Sequence, residues 1–221
     1  MIDHATQRLN MVESQVRPSD VTDRRITRAM REIPRELFVP GPLKSIAYAD
    51  EHLKVSDTGA VQRYILAPRI LAKMVQLLAI EPDGLVLDVG PATGYSTALL
   101  AHLAQTVVAL EEDARLAERA QEALASRGID NAVVITGAMR DGAADEGPYD
   151  AILFNGALAE VPPALLDQLK DGGRCAAISI DGGVGRATLW RRHGMTYDRR
   201  PVFDASGPYL PGFEPTAGFV F

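Results

Sequence analysis

The sequence has very little cysteine, because its 221 residues include only Cys175. A disulfide within the chain is therefore excluded, and this cysteine usage favours a reducing compartment, so we expect a cytoplasmic protein. No apolar run approaches the about 20 residues that cross a bilayer, which predicts no contact with a membrane. The first ten residues are polar, and we expect no secretory signal there.

Basic charge and metal-ligand clusters are also scarce. The formal net charge is −6, whereas proteins that bind nucleic acid through its phosphates are usually basic, so we expect no nucleic-acid partner. We expect no metal, because the histidines have no ligand spacing with one another or with the cysteine. They are His4, His52, His102 and His193.

What the sequence does contain is a regular alternation of short apolar strands and helices from Leu85 onward. This order predicts an α/β fold with a parallel sheet covered on both faces. We expect strands at 85–89, 106–110, 132–135, 149–154 and 174–180, and helices at 96–104, 113–126 and 163–169. Residues 1–80 lack this alternation and are interpreted as a helical N-terminal extension, packed as one unit with residues 81–221.

The tail is expected to add an antiparallel edge. Two strand-like pieces at 187–192 and 216–221 are separated by glycines and prolines. Between them, residues 209–213 contain two aromatics. We interpret this stretch as an edge-strand loop, and the alternatives are a cover over a functional site or a partner surface.

The first predicted strand ends in a loop that is typical of ligand binding. Asp88 closes the strand, and Gly90 and Gly94 stand as the first and last glycines of G-x-G-x-G, with Ala92 in the middle place. A strand, tight loop and helix start bring backbone N–H groups close to a polar ligand. Asp88 is expected to contact that ligand or to cap the loop.

The second predicted strand ends in two acids, Glu111 and Glu112. A carboxylate at this place can accept hydrogen bonds from both hydroxyls of a ribose, although an acid is also favoured at any helix start by the helix dipole. Asn155 follows the fourth strand and is interpreted as a ligand contact or a turn residue.

Two cofactors fit a strand, a loop and a ribose-binding acid: a dinucleotide and S-adenosylmethionine. The dinucleotide pattern G-x-G-x-x-G would need a glycine where the sequence has Tyr95. The spacing therefore favours S-adenosylmethionine, and a nucleotide-linked oxidoreductase is the less favoured alternative.

A series of short motifs in one register resembles the protein-L-isoaspartate O-methyltransferase family. The series runs over most of the chain and consists of Ile33-Pro34-Arg35, Phe38-Val39-Pro40, Ala47-Tyr48-Ala49-Asp50, Leu87-Asp88-Val89-Gly90 with Gly94-Tyr95, Pro148-Tyr149-Asp150-Ala151-Ile152 and Gly172-Gly173-Arg174. The resemblance implies a Rossmann-like methyltransferase fold. It also implies transfer of a methyl group from S-adenosylmethionine to a protein or peptide carboxylate, which in this family is that of isoaspartate.

The resemblance also implies the site residues. Those expected to bind the cofactor are Asp88, Gly90, Ala92, Gly94, Glu111, Glu112, Ala138, Met139 and Asn155. Leu66 takes the place of the family's serine, whose hydroxyl helps to position the substrate carboxylate, and no catalytic residue is assigned. Ala138 stands where the family has the aspartate of Gly-Asp-Gly.

These departures leave a second hypothesis open. Leu66 cannot donate a hydrogen bond, and Ala138 cannot replace a carboxylate. A family member without catalysis, acting as a cofactor-binding or interaction module, would carry such changes.

Overall fold

The structure, a computed structural model, describes residues 3–56 and 62–215. The α-helices are α1 (His4–Met11), α2 (Arg24–Glu32), α3 (Pro68–Leu78), α4 (Tyr95–Ala101), α5 (Ala114–Ser126) and α6 (Pro163–Leu166). A π-helix (Val12–Val16) continues α1, and the 3₁₀-helices are Arg17–Ser19, Arg35–Phe38, Gly41–Ile46 and Ala144–Glu146. The strands are β1 (Leu53–Lys54), β2 (Tyr64–Ile65), β3 (Leu85–Val89), β4 (Thr106–Glu111), β5 (Ala132–Thr136), β6 (Tyr149–Leu158), β7 (Leu169–Asp181), β8 (Val184–His193) and β9 (Thr196–Asp204). Within the described residues no helix is long and apolar enough to cross a membrane.

The central feature is a seven-stranded sheet in the order β5-β4-β3-β6-β7-β8-β9. The five strands from β3 to β7 are parallel, and β8 and β9 add an antiparallel edge. The strand order reverses between β3 and β6, so the crevice outside their carboxyl ends is the topological switch point at which open α/β sheets bind ligands.

Apolar side chains of β3 alternate between the two faces of the sheet, as the pleat of a strand requires. Val86 belongs to one buried cluster with Met30 and Leu71 from the N-terminal region. Leu87 belongs to the cluster on the opposite face, together with Phe154. Residues from both predicted parts of the chain therefore share one core.

The N-terminal region is mainly helical, as expected. In α2, Ile26, Ala29 and Met30 are buried, and the side chain of Asp23 accepts a hydrogen bond from the backbone N–H of Arg25 at the helix start. The two-residue strands β1 and β2 pair antiparallel. They are too short to show a periodic pattern in the sequence.

The predicted boundaries were wrong in the last third of the described chain. The helix predicted over 163–169 ends at Leu166, because Leu169 already pairs with Tyr149 at the start of β7. Strand β9 was not predicted; it forms a hairpin with β8 and is exposed along most of its length. The strand predicted at 216–221 lies outside the described residues.

The chain after β9 returns to the central sheet. Residues 205–213, here called the C-terminal strap, lie beside the carboxyl end of β6, where Tyr209 forms a parallel bridge with Ala157. The backbone N–H of Ala157 donates to the carbonyl of Pro208 (2.8 Å), and the N–H of Leu210 donates to the carbonyl of Ala157 (2.9 Å). The strap therefore lies next to the switch point, and its interpretations as an edge-strand loop, a cover or a partner surface stay predictions.

Candidate functional site

The loop after β3 has the backbone conformation that its glycines predict. Gly90 and Gly94 both have positive φ, at +70° and +92°. Ala92 also lies in the left-handed region, with φ +54°, which is unfavourable for a residue with a Cβ. A Cβ at Gly94 would lie 3.1 Å from the Cβ of Ala120 in α5, so the loop is held tightly against that helix.

Asp88 connects this loop to α4 and β6. Its Oδ2 accepts hydrogen bonds from the hydroxyls of Ser96 (2.8 Å) and Thr97 (2.7 Å), and its Oδ1 accepts one from Nδ2 of Asn155 (2.5 Å). Asn155 Nδ2 also donates to the carbonyl of Val89 (3.2 Å). The Asp88 and Asn155 side chains thus connect the ends of β3 and β6 at the switch point. Their predicted contacts with a ligand stay predictions.

Complete burial raises the pKa of Asp88 to about 6, although its three hydrogen-bond donors act in the opposite direction. The folded protein therefore holds this proton at higher pH than the unfolded chain does. The stability that protonation contributes is present below pH 4 and is lost as the pH rises through 6.

As the pH rises from 4 to 6.5, we expect the wild type to lose up to about 3 kcal/mol of its free energy of unfolding through the ionisation of Asp88. The variant Asp88→Asn has no carboxyl group at this position and should not show that loss. Urea denaturation at a series of pH values measures this difference. Asp145→Asn, at an exposed position, is the matched control and should follow the wild type. Parallel pH curves for wild type and Asp88→Asn would contradict the burial argument.

Glu111, at the end of β4, is held by Arg63, an arginine that no sequence motif indicates. Arg63 Nη1 donates to Oε1 (2.8 Å) and Nη2 donates to Oε2 (2.9 Å), a bidentate pair whose side chains are 2% and 0% exposed. The backbone N–H of Ala92 donates to Oε2, and those of Glu112 and Asp113 donate to Oε1. Glu111 is thus saturated with donors from its own chain.

Arg63 carried no signal in the sequence. It lies in an irregular stretch before β2, 48 positions from Glu111, and a lone arginine there resembles any exposed basic residue. Only the observation that Glu111 is buried would have required a cation nearby, since buried carboxylates are almost always paired.

The space beside Gly90 is filled by side chains from three distant segments. A Cβ at Gly90 would lie 2.8 Å from Arg63 Nη2, 2.8 Å from Leu210 Cδ2 and 3.1 Å from Met139 Sδ. The structure thus brings together Gly90, Glu111 and Met139 of the predicted residues. Glu112 and Ala138 are exposed, and their predicted cofactor contacts stay predictions.

Leu66, for which the resemblance implies a serine, is buried next to the C-terminal strap. Its Cδ2 lies 3.8 Å from the position that a Cβ on Gly207 would take. Its carbonyl accepts a hydrogen bond from Nη2 of the fully buried Arg35 (2.8 Å). An apolar contact with the strap therefore replaces the hydroxyl that the resemblance implies.

Comparisons with known proteins agree on one family. A family model for protein-L-isoaspartate(D-aspartate) O-methyltransferase matches residues 6–186. The protein-L-isoaspartate O-methyltransferase of Methanoculleus marisnigri is 41% identical over 171 residues, which are 77% of this chain and 76% of the relative. A protein of the same name from Herpetosiphon aurantiacus is 34% identical over 196 residues, which are 89% of this chain and 86% of the relative.

Solved structures confirm the predicted Rossmann-like α/β methyltransferase fold. A protein-L-isoaspartate O-methyltransferase structure superposes with a TM-score of 0.82 at 24% identity, covering 94% of this chain and 66% of that one. A second structure, from Plasmodium falciparum, was solved in complex with S-adenosyl-L-homocysteine. It has a TM-score of 0.77 at 20% identity and covers 95% and 99% of the two chains.

Proposed function

Since the chain belongs to the protein-L-isoaspartate(D-aspartate) O-methyltransferase family, and so to the S-adenosylmethionine-dependent methyltransferases, we propose that it methylates a carboxylate of a protein or peptide. The observation that carries this proposal is the buried Glu111 carboxylate at the end of β4, which accepts a hydrogen bond from the backbone N–H of Ala92 in the loop between Gly90 and Gly94. Isoaspartate is expected to be a poor acceptor, because Leu66 offers no hydroxyl to its carboxylate.

The residues present fit S-adenosylmethionine in their chemistry. Gly90 has no side chain to keep a ligand from the main chain, but Arg63 Nη2 and Leu210 Cδ2 lie beside it and would have to move aside for that approach. Glu111 has the two acceptor oxygens that a ribose diol requires, and Arg63 must withdraw from them first. When bound, the cofactor supplies a methyl group activated by its sulfonium.

The protein's part in methyl transfer is approach and orientation. A carboxylate acceptor is already ionised near neutral pH, so no strong general base is needed. Holding the acceptor in line with the methyl group therefore supplies most of the rate enhancement that the chain can provide.

One observation favours the second hypothesis, a non-catalytic module. The carboxylate of Glu111 is bound by Arg63, and Leu210 lies against Gly90, so the chain itself fills the place of the ligand. The two hypotheses differ in whether methyl transfer follows cofactor binding.

A calorimetric titration with S-adenosylhomocysteine, followed by transfer of labelled methyl groups from S-adenosylmethionine, tests the proposal. The acceptors are an isoaspartyl peptide, its aspartyl counterpart and a mixture of unfolded proteins. We expect binding and base-labile methyl esters on protein carboxylates, with the isoaspartyl peptide a weak acceptor. Binding without transfer to any of the three acceptors would exclude the enzyme and favour the module.

A further inference from the structure

The C-terminal strap occupies the groove in which the cofactor is expected. Leu210, on the strap, is buried, and its Cδ2 would lie 2.8 Å from a Cβ at Gly90. The same side chain covers Gly156 at the end of β6, where a Cβ would lie 2.7 Å from Leu210 Cγ. The Leu210 side chain therefore fills the space over Gly90, which follows β3, and over Gly156 in β6, on the two sides of the switch point.

The strap is fixed at several places along its length, not only at Leu210. Its first residue, Ala205, donates its N–H to the carbonyl of Gly185 (3.1 Å). Near the other end, the carbonyl of Phe213 accepts from the N–H of Ala159 (2.9 Å). The ring of Phe213 packs edge-on against Phe154, with 5.7 Å between ring centroids. These contacts hold the strap in register across the sheet.

A second segment closes the groove from the opposite side. Arg63 precedes β2, and its guanidinium both saturates Glu111 and lies against Gly90. Any diol that binds Glu111 competes with a bidentate ion pair, which is a strong, geometrically specific interaction.

The two segments are joined to each other. His52 Nδ1 accepts a hydrogen bond (3.1 Å) from the backbone N–H of Ala67, the residue after Leu66. The proton of the neutral ring is therefore on Nε2, which donates a hydrogen bond (2.9 Å) to the carbonyl of Ser206 on the strap. The Leu66 side chain meets the strap at Gly207. The replacement of serine by leucine thus adds an apolar contact between the segment that follows Arg63 and the strap.

We propose that the C-terminal strap and Arg63 form an autoinhibitory closure of the cofactor groove, which must open before S-adenosylmethionine binds. This inference rests on the proposed function, because it concerns regulation of the same site. The closed form lowers the apparent affinity by the fraction of molecules that are open. Whatever loosens the strap, such as a protein substrate that competes for the main-chain groups of Ala157 near the carboxyl end of β6, then raises cofactor affinity.

The test compares Leu210→Ala with the wild type in titrations with S-adenosylhomocysteine. Truncation removes the side chain over both glycines, so we expect the dissociation constant to fall at least tenfold. Val202→Ala is the matched control, since Val202 is a partly exposed aliphatic residue of β9, outside the strap, and it should bind as the wild type does. Equal affinities for all three proteins, or no binding by Leu210→Ala at millimolar ligand, would overturn the closure.

Hydrogen exchange of the wild type gives a readout that needs no variant. On addition of saturating S-adenosylhomocysteine, the amides of Ala157 and Leu210 lose their partners and should exchange at least tenfold faster. Unchanged or slower exchange with bound ligand would refute the opening of the strap. Tight binding by Leu210→Ala without methyl transfer would leave the closure intact and overturn the proposed enzyme activity instead.

Discussion

The variant Glu111→Ala is expected to lose about 3–5 kcal/mol of its free energy of unfolding, the cost of leaving one partner of a buried ion pair alone. The loss arises because Arg63 stays buried without an acceptor, and because the backbone N–H groups of Ala92, Glu112 and Asp113 lose theirs. Equilibrium unfolding in urea measures it. The same variant should bind S-adenosylhomocysteine more weakly than the wild type.

Two controls separate the ion pair from other effects. Glu112→Ala changes the neighbouring, exposed acid and should alter stability by less than about 0.5 kcal/mol. The double variant Arg63→Met/Glu111→Gln removes both charges and keeps a side-chain acceptor for the backbone N–H groups, so it should recover more than half of the loss. Equal stability of Glu111→Ala and Glu112→Ala would show that the Arg63–Glu111 pair contributes nothing.

The variant Leu66→Ser is expected to raise methyl transfer to an isoaspartyl peptide roughly tenfold or more, the scale of one restored site donor. It should also lower the free energy of unfolding by about 3 kcal/mol, because a buried leucine that packs on the strap is replaced by a small polar group. Initial rates with labelled cofactor and urea unfolding measure the two effects.

Leu66→Ala distinguishes the hydroxyl from the cavity. It removes the same packing against Gly207 without adding a donor, so it should be destabilised to a similar degree. A gain of activity in Leu66→Ser alone supports the alignment of Leu66 with the family's serine. An equal gain in both variants would mean that loosening the strap, and not the hydroxyl, limits the reaction.

The central sheet could be predicted from the sequence, whereas the contacts that Arg63 and Leu210 make beside Gly90 could not. Strands β3, β4 and β5 begin and end within a residue of their predicted bounds, whereas β6 extends four residues beyond its apolar run and β7 begins five residues before its own. The apolar runs of β3 and β4 are conspicuous because both strands are buried on both faces. The loop at Gly90 and the acid at Glu111 were placed correctly by their distance from strand ends. The strand β9 was missed because nearly all its residues are exposed, so no alternation marks it.

Long-range contacts account for the rest. The pairing of Arg63 with Glu111 joins residues 48 positions apart, and the contact of Leu210 with Gly90 joins residues still further apart. Neither the stretch around Arg63 nor the C-terminal strap has a hydrophobic periodicity or a helix cap that would indicate its distant partner. Such contacts follow from the assembled tertiary structure and leave no local trace in a single sequence.

The hairpin of β8 and β9 also has a consequence for how copies of this chain behave in concentrated solution. As the outermost strand, β9 presents main-chain groups with which another strand could pair, a common route to aggregation. The charges of β9 balance, because Arg199 and Arg200 are accompanied by Asp198 and Asp204, so they do not keep two such edges apart. Pro201 has no N–H to donate, so it interrupts the ladder that a second strand would need, and this side of the molecule resists strand-to-strand association.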